Sequence, residues 1–165
     1  PFEPTKGIHL SSHILRGDPS LLCLRVASKA AFGLGPHPST RLALRALVQL
    51  SQENKIDAAN PQKLLDLGAG TGILSFCARK LGWAETLGFE VEGRAASDFQ
   101  GLAAANRLAD GSRLEIADLR SISIWPEADT VVANLDPQIL CTVLPGLMAK
   151  PRIRHFVLSG FQSAQ

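Results

Sequence analysis

Gly68, Gly70 and Gly72 alternate within Leu64-Leu65-Asp66-Leu67-Gly68-Ala69-Gly70-Thr71-Gly72-Ile73-Leu74, where an apolar run passes into a helical pattern. A strand-to-helix turn built this way leaves its main chain bare, so a ligand can lie against it and the backbone can take positive φ. About 20 residues further on, the next apolar run ends in an acid, Glu90, at the spacing that brings a carboxylate to a ribose in nucleoside-binding α/β units. A third chemical group follows another apolar run, Thr130-Val131-Val132-Ala133, which delivers Asn134, an amide with one acceptor and two donors. Each feature has a plainer alternative: a tight turn without a ligand, a solvated strand-end carboxylate, and a helix-start amide. Asp136-Pro137 is itself helix-start chemistry, with Asp136 as the cap. The glycine pattern is Gly-x-Gly-x-Gly; its third glycine comes too early for the Gly-x-Gly-x-x-Gly of dinucleotide sites, which disfavours NAD.

The elements needed to position these groups alternate along the chain. Short strands are expected near residues 7–15 and 21–27, then a Gly/Pro-rich loop from Ala30 to Pro38. Ser39 reads as the N-cap of a helix whose apolar face is Leu42, Leu44, Leu47, Val48 and Leu50. After a polar connection, strands are expected at about 63–67, 85–90, 112–117, 129–133 and 153–158. Helices are expected between them at about 72–81, 93–108 and 138–148. Nearly continuous apolar strands joined by helices predict an α/β fold, a doubly wound, mostly parallel sheet with right-handed crossovers. Ligands in such sheets sit beyond the carboxyl ends of the strands where strand order reverses. Gly68 to Gly72, Glu90, Asp118 and Asn134 all fall at those ends. Residues 1–38 form an irregular segment with the loop, and 39–165 the core of what is one domain overall.

Composition narrows the partners. The 165 residues carry 17 Lys and Arg against 15 Asp and Glu, a net charge of +2, and no tyrosine. Nothing here makes a basic, aromatic-rich surface for nucleic acid. Lys150, Arg152 and Arg154 read as a solvated approach to a strand. Cys23, Cys77 and Cys141 are odd in number and far apart, so they read as small buried residues in a reducing compartment, the cytoplasm, and not as a disulfide framework. His9 and His13 lack a third ligand of matching spacing, so no metal site is expected. No apolar run is long enough to cross a membrane. The chain opens on Pro1, as a fragment or a processed product would.

At these blocks the chain resembles the class I S-adenosylmethionine-dependent methyltransferases. More narrowly, it resembles the PrmA-type ribosomal protein methyltransferases, which act on the large-subunit protein numbered eleven. The matching stretches are Ala31-Phe32-Gly33-Leu34-Gly35-Pro36-His37-Pro38-Ser39-Thr40, Asp66 to Leu74, Gly88-Phe89-Glu90-Val91-Glu92, Val131 to Leu135, and Leu158-Ser159-Gly160. The resemblance implies a Rossmann-like fold and S-adenosylmethionine as cofactor. It puts cofactor contacts at Thr40, Asp66, Gly68, Ala69, Gly70, Gly72, Glu90, Asp118 and Asn134. Glu90 would hold the ribose, Asp118 would reach the adenine edge, and Gly68 to Gly72 would pass under the methionyl part. Phe32, His37 and Asn134 would surround the transferring methyl group. Glu90 departs from the family's usual Asp and Pro36 from its usual Thr. The family's N-terminal recognition domain and the last strands of its sheet are not among these residues.

The function this implies is methylation of a protein amine, on a ribosomal protein, at a lysine or an α-amine. Two alternatives stand beside it: an S-adenosylmethionine-binding domain with little or no turnover, and an NAD-dependent oxidoreductase. Adenine methylation is disfavoured because Asn134-Leu135-Asp136-Pro137 has no ring on which a flipped base could stack. An open sheet edge leaves room for a second copy of the chain to pair.

Overall fold

The computed structural model describes residues 8–11, 22–25, 37–54 and 56–161. Two short strands, β1 (Ile8–Ser11) and β2 (Leu22–Arg25), pair in parallel. They are followed by helix α1 (Pro38–Glu53) and then the alternating units β3 (Lys63–Leu67), α2 (Ile73–Leu81), β4 (Glu85–Glu90), α3 (Ala95–Asn106) and β5 (Ser112–Ile116). A short 3-10 turn at Leu119–Ser121 leads to β6 (Thr130–Asn134), α4 (Pro137–Met148) and β7 (His155–Ser159).

The five strands β3 to β7 form one parallel sheet in the order β5-β4-β3-β6-β7. The chain builds outward from β3 through β4 to β5, then returns to the other flank of β3 as β6. The reversal point therefore lies between the ends of β3 and β6, where the glycine turn and Asn134 emerge.

Alternation along the strands feeds two cores. Leu64, Val132 and Val157 pack with α1, α2 and α3 around Leu47, Phe76 and Trp83. Leu65, Leu67, Val131 and Ala133 pack with α4 around Trp125, Leu140 and Leu147. A sheet apolar on both faces must be covered on both, which is the doubly wound arrangement expected. Leu24 of β2 joins the first core. The Asn106 side chain ties β2 to α3, accepting from the Arg25 amide and donating to the Arg25 carbonyl, each at 2.8 Å.

Four local expectations need correcting. The cap of α1 is His37, whose Nδ1 accepts from the Ser39 amide, because Pro38 with its fixed φ takes the first helical position. The buried face of α1 is Thr40, Ala43, Leu44 and Leu47, and Leu42 points to solvent; helical spacing from Thr40 selects these and rotates Leu42 away. Cys141 is exposed on α4, whereas Cys77 is buried, and burial together with Asp66 pushes its thiol up to about 12. Arg152 and Arg154 are not merely solvated. They lie 3.1 Å and 3.7 Å from Asp129, a buried carboxylate that also accepts from the Lys63 amide at 2.9 Å.

Asp129 thus joins the start of β3 to the approach to β7. Burial pushes its carboxyl up, but the Lys63 amide and the two arginines outweigh that and hold it below the usual carboxylate range. Asp129→Ala strands the Lys63 N–H and is expected to destabilise the chain by about 2 kcal/mol, read from the urea midpoint. A depressed native pKa also sets the pH dependence: the contribution is whole above about pH 4 and fades as acid titrates the folded carboxyl.

Candidate functional site

The turn after β3 owes its shape to Gly68, Gly70 and Gly72, with φ of 69°, 52° and 80°. It is pinned to the neighbouring strand by Ala69 N donating to Phe89 O at 2.9 Å, and closed by Gly72 N donating to Ala69 O at 2.7 Å. A Cβ at Gly68 would lie 2.2 Å from Leu135 Cδ2, so the Leu135 side chain rests directly on this backbone. A Cβ at Gly70 would meet nothing within 4 Å. The turn is covered by leucine on one side and open at its crest.

Glu90 closes the crest from the end of β4. Its Oε2 accepts from Gly70 N at 2.9 Å, and its Oε1 accepts from Val91 N and Glu92 N at 2.8 Å and 3.0 Å. A carboxylate offers about four acceptor positions, so one remains on Oε2 beside the open turn.

Asp66 lies one layer down, 1% exposed. Its Oδ2 accepts from the amide and the hydroxyl of Ser75, at 3.0 Å and 2.7 Å, fastening the first turn of α2 to β3. Its Oδ1 and the Thr71 hydroxyl are both buried and have no hydrogen-bond partner among the described residues. Burial pushes the Asp66 carboxyl up to about 6; the Ser75 bonds oppose this and the nearby Glu90 adds to it. Two carboxylates and two unsatisfied oxygens in one turn make a setting for a ligand with positive charge and donor groups.

Across the reversal point, Asn134 Nδ2 donates to Thr40 Oγ1 at 3.1 Å. Thr40 is buried in the first turn of α1, so this bond fixes the helix start against the end of β6 and commits the amide nitrogen. His37 is exposed at the head of that turn, with Nδ1 2.7 Å from Ser39 Oγ. Phe32 lies outside the described residues, as does the rest of the 26–36 segment. Asp118 follows β5, but both of its oxygens are held by Arg120, at 3.0 Å through Nε and 2.7 Å through Nη2. That pairing draws its carboxyl below the usual range. Any contact with a ligand at Asp118 requires Arg120 to share it.

The structure therefore brings Asp66, Gly68, Ala69, Gly70, Gly72 and Glu90 into one turn, with Thr40 and Asn134 bonded to each other beside it. Three residues to which the sequence reasoning gave no role also belong to this region, Thr71, Ser75 and Gly160, and the Leu135 side chain covers it. Thr71 had a signal, a hydroxyl between two glycines.

A model of the family described as Ribosomal protein L11 methyltransferase (PrmA) matches residues 7–165. The chain belongs to this family. A PrmA-family protein of Polynucleobacter necessarius, named ribosomal protein L11 methyltransferase, is 33% identical over 94% of the chain and 46% of that protein. Its namesake in Chlorobaculum tepidum is 31% identical over 86% of the chain and 48% of that protein. The chain thus spans about half the length of the curated relatives it matches. The crystal structure of a ribosomal protein L11 methylase from Lactobacillus delbrueckii superimposes with a TM-score of 0.63, at 26% identity over 81% of this chain and 65% of that one. An RNA methyltransferase from Salinibacter ruber, solved with S-adenosyl-L-homocysteine, has a TM-score of 0.56 at 24% identity, covering 75% of this chain and 71% of that one. The second likeness is one of fold, and it confirms the Rossmann-like methyltransferase architecture expected for a PrmA-family chain.

Proposed function

We propose that this chain binds S-adenosylmethionine at the β3 turn and transfers its methyl group to an amine of a ribosomal protein, in the cytoplasm. One observation carries the reading: the Gly70 amide is bonded to the Glu90 carboxylate at 2.9 Å, joining a bare turn to an acid at the neighbouring strand end. The residues present fit the cofactor. Gly70 leaves open space for it, Glu90 keeps an acceptor position for a ribose hydroxyl, and the unpartnered Asp66 and Thr71 oxygens suit donors from its cationic amino-acid end. When bound, the cofactor supplies a methyl group on a sulfonium, open to in-line displacement by a neutral nitrogen.

The chain's own part is positioning. Depriving a lysine of its proton at neutral pH costs roughly 4–5 kcal/mol, and an α-amine only about 1–1.5. Orientation is worth on the order of 7–11 kcal/mol, so no strong base is needed. With Asn134 Nδ2 committed to Thr40, Asn134 Oδ1 is left to accept an N–H from the amine, and the Leu135 carbonyl stands next to it. The Phe32–His37 segment would exclude water. A protein acceptor suits a chain of weak net charge without tyrosine better than a nucleic acid does.

Calorimetry with S-adenosylhomocysteine and tritiated methyl transfer into a lysate test this reading. Binding plus label in a protein is the expected result; no binding at about millimolar ligand, an affinity weaker than roughly 4 kcal/mol, would overturn it. Asn134→Ala is expected to lower turnover roughly tenfold or more while S-adenosylhomocysteine still binds.

A further inference from the structure

Gly160 follows β7 with a φ of 98°. A Cβ on it would lie 2.6 Å from the Leu135 carbonyl oxygen, 3.0 Å from the Leu135 nitrogen and 3.1 Å from Asn134 Oδ1. No real side chain is tolerated that close to backbone, so any other residue would force Asn134 and Leu135 to move. On the opposite side the same dipeptide is pressed onto the glycine turn, through Leu135 Cδ2 and Gly68. Asn134-Leu135 is therefore held between two positions that carry only hydrogen.

The remaining ties settle which atoms are free. Leu135 N donates to Ser159 O at 3.3 Å, and Asn134 Nδ2 donates to Thr40 Oγ1 at 3.1 Å. Asn134 Oδ1 and the Leu135 carbonyl oxygen accept no hydrogen bond among the described residues. Both sit over Gly160.

The geometry points to Gly160 as a positioning residue for the methyl acceptor: its bare α-carbon lets Asn134 Oδ1 and the Leu135 oxygen converge into one pair of acceptors that selects a primary amine. The inference rests on the amine-transfer reading above and deepens it. A neutral primary amine has two N–H bonds and one lone pair. Two neighbouring acceptors take both N–H bonds and leave the lone pair free to attack carbon. A hydroxyl or a thiol has a single hydrogen to give and would leave one oxygen unpaired.

Gly160→Ala is the direct test, made on the whole chain with three readouts. S-adenosylhomocysteine affinity by calorimetry is expected to stay within about threefold, while kcat for the protein acceptor falls about tenfold. The side-chain amide resonance of Asn134, identified by its loss in Asn134→Ala, is expected to shift. In an Asn134→Ala background, Gly160→Ala is expected to cost markedly less than it does alone. Wild-type kcat in Gly160→Ala, or a cost undiminished in the double variant, would overturn the inference and leave the methyltransferase reading standing. Failure of the unaltered chain to bind S-adenosylhomocysteine would overturn both.

Should Gly160→Ala not fold, the unaltered protein decides. Saturated with S-adenosylhomocysteine and titrated with n-butylamine at alkaline pH, it is expected to show its largest carbonyl-carbon and side-chain shifts at Leu135 and Asn134. Shifts elsewhere, or equal shifts with n-butanol, would overturn the inference.

Discussion

Glu90→Ala is expected to weaken S-adenosylhomocysteine binding by on the order of a thousandfold, about 4 kcal/mol. The size follows from what the carboxylate does. Bonded to the Gly70 amide at 2.9 Å, it sets the crest of the turn, and it offers the ribose a charged acceptor. A hydrogen bond to a charged group is worth about 1.5–3 kcal/mol, and alanine removes two such roles together. Stability should change little, because the Val91 and Glu92 amides that Oε1 also holds are exposed and Gly70 faces open space, so the freed N–H groups can turn to water. Glu90→Asp separates the roles. The shorter arm falls short of Gly70 N but can still face a ribose, so its affinity is expected between those of the parent and the alanine variant. Calorimetry on the three proteins checks this, and an alanine variant binding within about threefold of the parent would remove Glu90 from the site.

The fold was legible where local pattern and tertiary packing agree. The run Leu64-Leu65-Asp66-Leu67 ends in glycine, and the strand is Lys63–Leu67 as expected. Element edges were less legible because they depend on bonds outside the pattern. The helix expected over 93–108 is trimmed to Ala95–Asn106, since residues 92–96 first make a turn and Arg107 leaves the helix at positive φ. Long-range polar contacts were not legible at all. Thr40 and Asn134 could each be named, but nothing in their local sequence says that they bond to each other. Asp129 reads as an ordinary strand-start acid until Lys63, Arg152 and Arg154 converge on it. Gly160 could be quoted as part of a block, yet its reason is the Leu135 carbonyl beneath it, which only coordinates reveal.

Asp66→Asn is expected to make the chain more stable at about pH 8 and at the same time a poorer ligand binder. The native carboxyl is pushed up to about 6, chiefly by burial, whereas an unfolded Asp titrates near about 3.9. Between those values the folded chain holds a proton that the unfolded chain has released. Stability therefore falls as pH rises through that window, by about 3 kcal/mol once the carboxyl is fully ionised. Asparagine keeps an oxygen for the Ser75 amide and hydroxyl and has no charge to bury. The two proteins are expected to melt alike near about pH 4, with the variant melting several degrees higher at about pH 8. Glu90 adds to the upward push and the Cys77 thiol lies beside Asp66, so neither offsets its charge. A cation arriving in the turn changes that balance. Binding of S-adenosylmethionine near about pH 5 is thus expected to release a proton, counted by calorimetry in buffers of different ionisation enthalpy, and the release should vanish in the variant. Equal melting curves at both pH values would show that the buried carboxyl carries no such cost.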